Sequence, residues 1–185
     1  MKAYIFLAQG FEEIEAVTPI DILRRAAVET VTVSITETNI VTGAHNISII
    51  TDKLFHEIVV TSEDYLILPG GMPGTANLMA HEELTNLIKN QYEENGQLAA
   101  ICAAPSFFGK LGFLQGKEAI SYPGFEKNLI GANISTKTVV KSGNILTAKA
   151  LGVAISFSLN IVENIKGKET ADKIANDICV DNNND

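Results

Sequence analysis

The chain has 185 residues, of which 46% are hydrophobic and 19% charged, a composition that excludes a disordered chain and fits one globular domain over 1–185 with a sizeable core. Its 14 Lys and Arg against 22 Asp and Glu leave a formal net charge of −8, the wrong sign for a dedicated nucleic-acid binder or an anionic membrane surface. No apolar run approaches the roughly 18 residues of a membrane helix, and the short apolar stretch after Lys2 meets Glu12, Glu13 and Glu15 too soon for a secretory leader, so a cytoplasmic protein is expected.

Strand and helix signals alternate along the chain. Residues 2–8 form a short apolar run that ends at Gln9-Gly10 and reads as a buried strand. Thr18-Pro19-Ile20-Asp21 has the composition of a helix start, with Thr as cap and Pro at the first helical position. Residues 31–35 are alternating and β-branched, so a strand. Val41-Thr42-Gly43 reads as a turn before a further strand over 47–51. Tyr65 to Leu68 is a strand stopped by Pro69-Gly70-Gly71. Leu84, Leu87, Ile88 and Tyr92 are spaced for a helix ending near Asn95-Gly96. Leu98 to Ile101 is another buried strand, and it runs directly into Cys102 and an apolar helix through Leu111. A possible strand over 118–121 precedes Pro123-Gly124. Ser142-Gly143 separates two strand-like runs as in a hairpin. Two helices, over 152–165 and 169–178, lead to a polar tail at 181–185 that is expected to fray.

Short, continuously apolar strands separated by helices imply a mainly parallel sheet covered on both faces. In such a sheet ligands meet the C-terminal ends of the strands. The segments to watch are therefore Gln9 to Glu15, Pro69 to Gly74, Cys102 to Pro105, Ser121 to Pro123 and Ala148 to Gly152.

Cys102 stands where a strand turns straight into a helix. Ala100 and Ala104 are small enough for the strained turn of a nucleophile elbow. A helix N-terminus aimed at the sulfur would favour thiolate and lower its pKa; a buried cysteine packed in a core turn is the plainer alternative. Glu12 and Glu13 read as a solvated helix start. Glu15 is open: turned inward near a thiolate it would stay protonated and donate a hydrogen bond to the sulfur. The loop Pro69 to Gly74 lacks the spacing of either common phosphate-binding glycine motif. It is either a turn needing positive φ or a pair of exposed N–H groups for an oxyanion. His45, His56 and His81 are not placed near Cys102 by the pattern, so a Cys-His dyad has no obvious base. Cys179 reads as packing, and two cysteines with no Cys/His cluster suggest no metal site.

Leu-Pro-Gly-Gly at 68–71, Ala-Ile-Cys-Ala-Ala-Pro at 100–105 and Gly-Phe-Glu-Glu-Ile-Glu at 10–15, in this order, resemble the DJ-1/PfpI superfamily and its DJ-1/ThiJ/YajL-like branch over nearly the whole chain. The resemblance implies a flavodoxin-like three-layer α/β sandwich, usually dimeric. It places Cys102 at the reactive position and Glu15 at a protonated carboxyl that bonds the sulfur. Gly70, Gly71 and Ala103 fall where backbone N–H groups face the sulfur or an oxyanion. It further implies cofactor-independent glyoxalase- or deglycase-type chemistry on small 2-oxoaldehydes, or alternatively a peroxide-responsive sensor or protective, chaperone-like protein without turnover. Two departures bear on the pocket. Tyr122 precedes Pro123 where the branch commonly has His, and Lys149-Ala150-Leu151-Gly152 replaces a Gly-Pro-Gly turn, which makes Tyr122 and Lys149 candidate pocket residues. Ala103 stands where the protease-like branch has His, against a protease.

Overall fold

In the computed structural model, which describes residues 1–180, the strands are β1 (Ala3–Leu7), β2 (Thr30–Ser34), β3 (Ile40–Thr42), β4 (Ser48–Ile50), β5 (Lys53–Leu54), β6 (Tyr65–Leu68), β7 (Gln97–Ile101), β8 (Glu118–Ala119), β9 (Asn133–Ile134), β10 (Val139–Ser142) and β11 (Ile145–Ala148). The helices are α1 (Glu13–Arg25), α2 (Gly74–Ala80), α3 (Glu82–Glu93), α4 (Pro105–Lys110), α5 (Ala154–Lys166) and α6 (Lys168–Asp177). The expected tail at 181–185 lies outside the described residues.

Seven strands form the central sheet in the order β10-β11-β7-β6-β1-β2-β5. All neighbours run parallel except the β10–β11 hairpin. This is the flavodoxin-like α/β architecture. Strand periodicity explains its layers. Ile5, Leu7, Ile67, Ala99 and Ile101 point to one face, where they bury Ala16 and Leu23 of α1 and Phe157 and Ile161 of α5. Phe6, Leu66, Leu68, Leu98 and Ala100 point to the other, against Leu78 of α2, Leu84 and Ile88 of α3, and Phe107 and Phe108 of α4. Both faces are covered, so the central strands β1 and β6 are buried and free of charged or amide side chains along their whole length.

Several elements depart from the sequence reading. Helix α1 begins at Glu13, and Pro19 lies inside it, not at its start. Pro19 removes the N–H that would serve the Glu15 carbonyl. The helix continues because Glu15, Ala16, Pro19, Ile22 and Leu23 form one buried face against the sheet and α5. Residues 40–42 are a strand rather than a turn, paired antiparallel with β4. The expected strand at 118–121 shrinks to two residues paired with β9 outside the main sheet. Strand β5 and helix α2 have no local signal of their own.

Candidate active site

Three adjacent strands, β7, β6 and β1, end side by side, and the segments that follow them build one site. Cys102 follows β7 with φ 66°, a left-handed conformation that a side-chain-bearing residue adopts only under constraint. Its N–H donates to the Ala148 carbonyl at 2.9 Å, and its carbonyl accepts from Tyr122 N–H at 2.8 Å. The elbow is thus pinned between β11 and the segment carrying Tyr122.

The loop after β6 interlocks with the loop after β1. Glu12 N–H donates to the Gly70 carbonyl at 2.9 Å, and Gly74 N–H donates to the Gly10 carbonyl at 3.0 Å. Gly70 has to lack a side chain, because a Cβ there would lie 2.6 Å from both the Cys102 Cβ and Glu15 Oε2. That close approach sets the thiol and carboxyl side by side, near enough for each to shift the other's pKa.

Glu15 turns inward and is fully buried. Oε2 accepts from Gly70 N–H at 3.1 Å, whereas Oε1 is buried with no hydrogen-bond partner among the described residues. Desolvation dominates, and it pushes the Glu15 pKa up to about 7 against the pull of neighbouring donors. Burial and the adjacent Glu15 charge push the Cys102 thiol up to about 12, while the N–H groups of Ala103 and Gly71 draw it down. Such neighbours titrate as a unit. Losing the first proton leaves one negative charge to be held by the sulfur or the carboxyl, and the second proton leaves only far above neutrality.

The helix-end contribution expected at Cys102 is small. Helix α4 has six residues and starts with Pro105, which has no N–H. The N–H groups of Ala104, Ser106 and Phe107 are already bonded to the carbonyls of Ile101, Ala103 and Ala104. The N–H groups that draw the thiol pKa down are those of Ala103 and Gly71, and the Gly70 N–H donates to Glu15.

A pocket of about 300 Å³ opens onto Cys102 and is lined by Glu12, Glu15, Gly71, Ala103, Tyr122 and His45, among others. Leu151 forms part of its wall, whereas Lys149 is exposed and outside it, so the 149–152 turn meets the pocket through an apolar residue and adds no cation. His45, which sequence spacing kept apart from Cys102, arrives on the β3–β4 turn. Glu13 holds it there. Glu13 is only 5% exposed. Its Oε1 accepts from His45 N–H at 2.7 Å, and its Oε2 lies 2.8 Å from His45 Nδ1. Glu13 is thus not a solvated helix-start acid. These bonds hold its pKa below the usual value despite burial, and Glu13 and Glu12 raise that of His45. Potential ligand atoms of Glu12, Glu13 and His45 lie within 4.8 Å of one another, the one set of metal-ligating type among the described residues, though Glu13 is already engaged by hydrogen bonds. No sequence pattern announces a contact between residues 32 apart. Cys179 is exposed at the end of α6, past the buried face formed by Ala171, Ile174 and Ala175, and not packed as expected.

The model of the DJ-1/PfpI family matches residues 1–164. The chain is 34% identical over 182 residues to Protein dj-1beta of Drosophila melanogaster, covering 97% of both. It is 27% identical to a Pyrococcus abyssi protein named as a deglycase, over 90% of this chain and 100% of that one. Among solved structures, oxidized Toxoplasma gondii DJ-1 superposes with a TM-score of 0.91 at 34% identity, covering 96% of this chain and 97% of that one.

Proposed function

The chain belongs to the DJ-1/PfpI family, and from that premise we propose that it is a cofactor-independent enzyme that converts small 2-oxoaldehydes to 2-hydroxy acids through Cys102. The observation that carries this reading is a constrained cysteine and a fully buried, proton-retaining glutamate lining one open pocket. The pocket has room for a three-carbon aldehyde.

The nucleophilic form is the thiolate with Glu15 protonated, one arrangement of the singly charged pair. The sulfur adds to the aldehyde carbon, and the N–H groups of Gly71 and Ala103 stabilise the resulting alkoxide. Glu15 gives its proton to that alkoxide, and the resulting carboxylate takes the proton from C1 and returns it to C2, while the C1 hydroxyl proton passes to the C2 oxygen. The electron pair of the C1–H bond moves to C2, so C1 is oxidised to a thioester while C2 is reduced to a carbinol. Water then cleaves the thioester, releasing the hydroxy acid and the thiol. His45 and Tyr122 line the pocket, and the imidazole, oriented by the contact of its Nδ1 with Glu13, is the group to accept that water's proton. Purified protein should turn methylglyoxal into lactate, with activity lost in Cys102→Ala and lowered at least about 100-fold in Glu15→Gln. Undiminished turnover by Cys102→Ala would exclude the reading.

Oxidation sensing is the second reading, favoured by the relative solved in an oxidized state. Peroxide would take Cys102 to a sulfinate accepting hydrogen bonds from the same N–H groups and from protonated Glu15. Intact-mass measurement after peroxide titration separates the two: two added oxygens without aldehyde turnover favours the sensor. We also propose a homodimer through the exposed apolar side chains of α1 and α5, and a cytoplasmic location. No helix of the described residues is long and apolar enough to cross a membrane.

A further inference from the structure

A second cavity of about 270 Å³ lies next to the Cys102 pocket, between α2, α4 and the segment after Tyr122. Met72 and Phe125 line both cavities. The two are also linked through the elbow. Ser106, in the second cavity, donates to the Ala103 carbonyl at 2.5 Å, and Ala103 is the residue whose N–H draws down the Cys102 thiol pKa. The lining is mainly apolar, with Met79 and Ile130 beside the shared pair. Methionine walls adapt readily to a guest.

Its polar features are few and distinct. The Thr75 hydroxyl is buried without a hydrogen-bond partner, and Lys110 has no ion-pair partner among the described residues. No acidic side chain lines this cavity, in contrast to the first, which holds Glu12 and Glu15. Roughly 150 Å³ of apolar cavity accommodates a benzene ring. Each cavity alone is at the small end for a ligand site, and a cleft joining them falls within the usual range of about 300–1,000 Å³.

We propose that this cavity is a substrate subsite for an aryl or medium-length alkyl group bearing a carboxylate, so that the preferred 2-oxoaldehyde is larger than methylglyoxal. The inference rests on the 2-oxoaldehyde reading of Cys102. The aldehyde carbon lies at the sulfur, the side chain passes between Met72 and Phe125, and the distal carboxylate meets Lys110. The acidic first pocket repels a carboxylate, which fixes the orientation.

The test compares kcat/KM for methylglyoxal, phenylglyoxal and 4-carboxyphenylglyoxal on the full chain. Phenylglyoxal should exceed methylglyoxal by about tenfold or more, and the carboxylated aldehyde should exceed both. Ala76→Trp, at an exposed lining position of α2, should abolish the gain while leaving methylglyoxal within about twofold. Lys110→Gln should remove only the advantage of the carboxylate. No preference for the larger aldehydes, or equal loss on all three in Ala76→Trp, overturns the subsite. Should no aldehyde be turned over, the 2-oxoaldehyde reading falls, and the cavity is tested alone by titrating 4-methylbenzoate into the protein. A saturable shift of the Met79 methyl resonance, absent in Ala76→Trp, then supports the subsite, because Met79 lines the second cavity and not the first. An unmoved Met79 resonance overturns it.

Discussion

At Glu15 the decisive effect is desolvation. A carboxyl that holds its proton to about pH 7 when folded, against 4.5 ordinarily, binds more protons in the native state than in the unfolded one between those values. Its contribution to stability is full below pH 4.5 and is lost as pH rises through 7. Stability measured by urea unfolding should fall over that window by on the order of 3 kcal/mol relative to Glu15→Gln, whose side chain does not titrate. Parallel pH profiles of the two proteins would contradict burial of the carboxyl. Gly70 is the neighbouring test. Gly70→Ala forces its Cβ against Cys102 and Glu15, so it should destabilise by about 1–3 kcal/mol and abolish aldehyde turnover. Both losses are measurable on the purified variant, and a fully active Gly70→Ala would contradict the tight approach of thiol and carboxyl. The inward turn of Glu15 was not legible locally, since Glu12, Glu13 and Glu15 share one acidic run. Only packing of α1 on the sheet distinguishes them.

At the scale of elements, the β3–β4 turn is fastened to α1 by Glu13, which accepts from the N–H groups of both His45 and Ile47. Glu13→Gln replaces charge-assisted bonds with neutral ones. It should cost about 1–3 kcal/mol at neutral pH and speed amide hydrogen exchange at residues 43–48 without affecting β7. Because the hydrogen bonds of this network lower the pKa of Glu13 despite its burial, that stabilisation is present above pH 4.5 and disappears as pH falls through the lower native value. The variant's deficit should therefore vanish in acid, and a deficit that persists there would contradict the ionic character of the contact. The strand-end loops were legible because chemistry in a parallel sheet collects there and glycines mark close approach. The hairpin's docking was not, because its partners come from distant segments. Helix α1 was misread for a related reason: Thr18-Pro19 carries a local start signal, and tertiary burial of the preceding turn overrides it.

At the scale of the molecule, α/β alternation and apolar strands sufficed for the architecture, whereas assembly depends on surfaces that sequence alone does not group. Ile14 and Val17 on α1 and Ile155 on α5 are 44–50% exposed, on helices that pack together. Ile14→Asp combined with Val17→Asp should convert a dimer to a monomer in light scattering while keeping the far-ultraviolet spectrum. A wild type that is monomeric at micromolar concentration would contradict the dimer. At the site, sulfur and carboxyl are left sharing a single proton once the pair has lost its first near neutrality. The most direct measurement of that sharing is the rate of Cys102 alkylation by iodoacetamide against pH, in protein carrying Cys179→Ser. The rate should rise around pH 7, where the pair loses its first proton, and then hold a plateau through pH 9. A rate that stays flat to pH 8 and climbs only above the ordinary thiol value of 9 would contradict the shared proton.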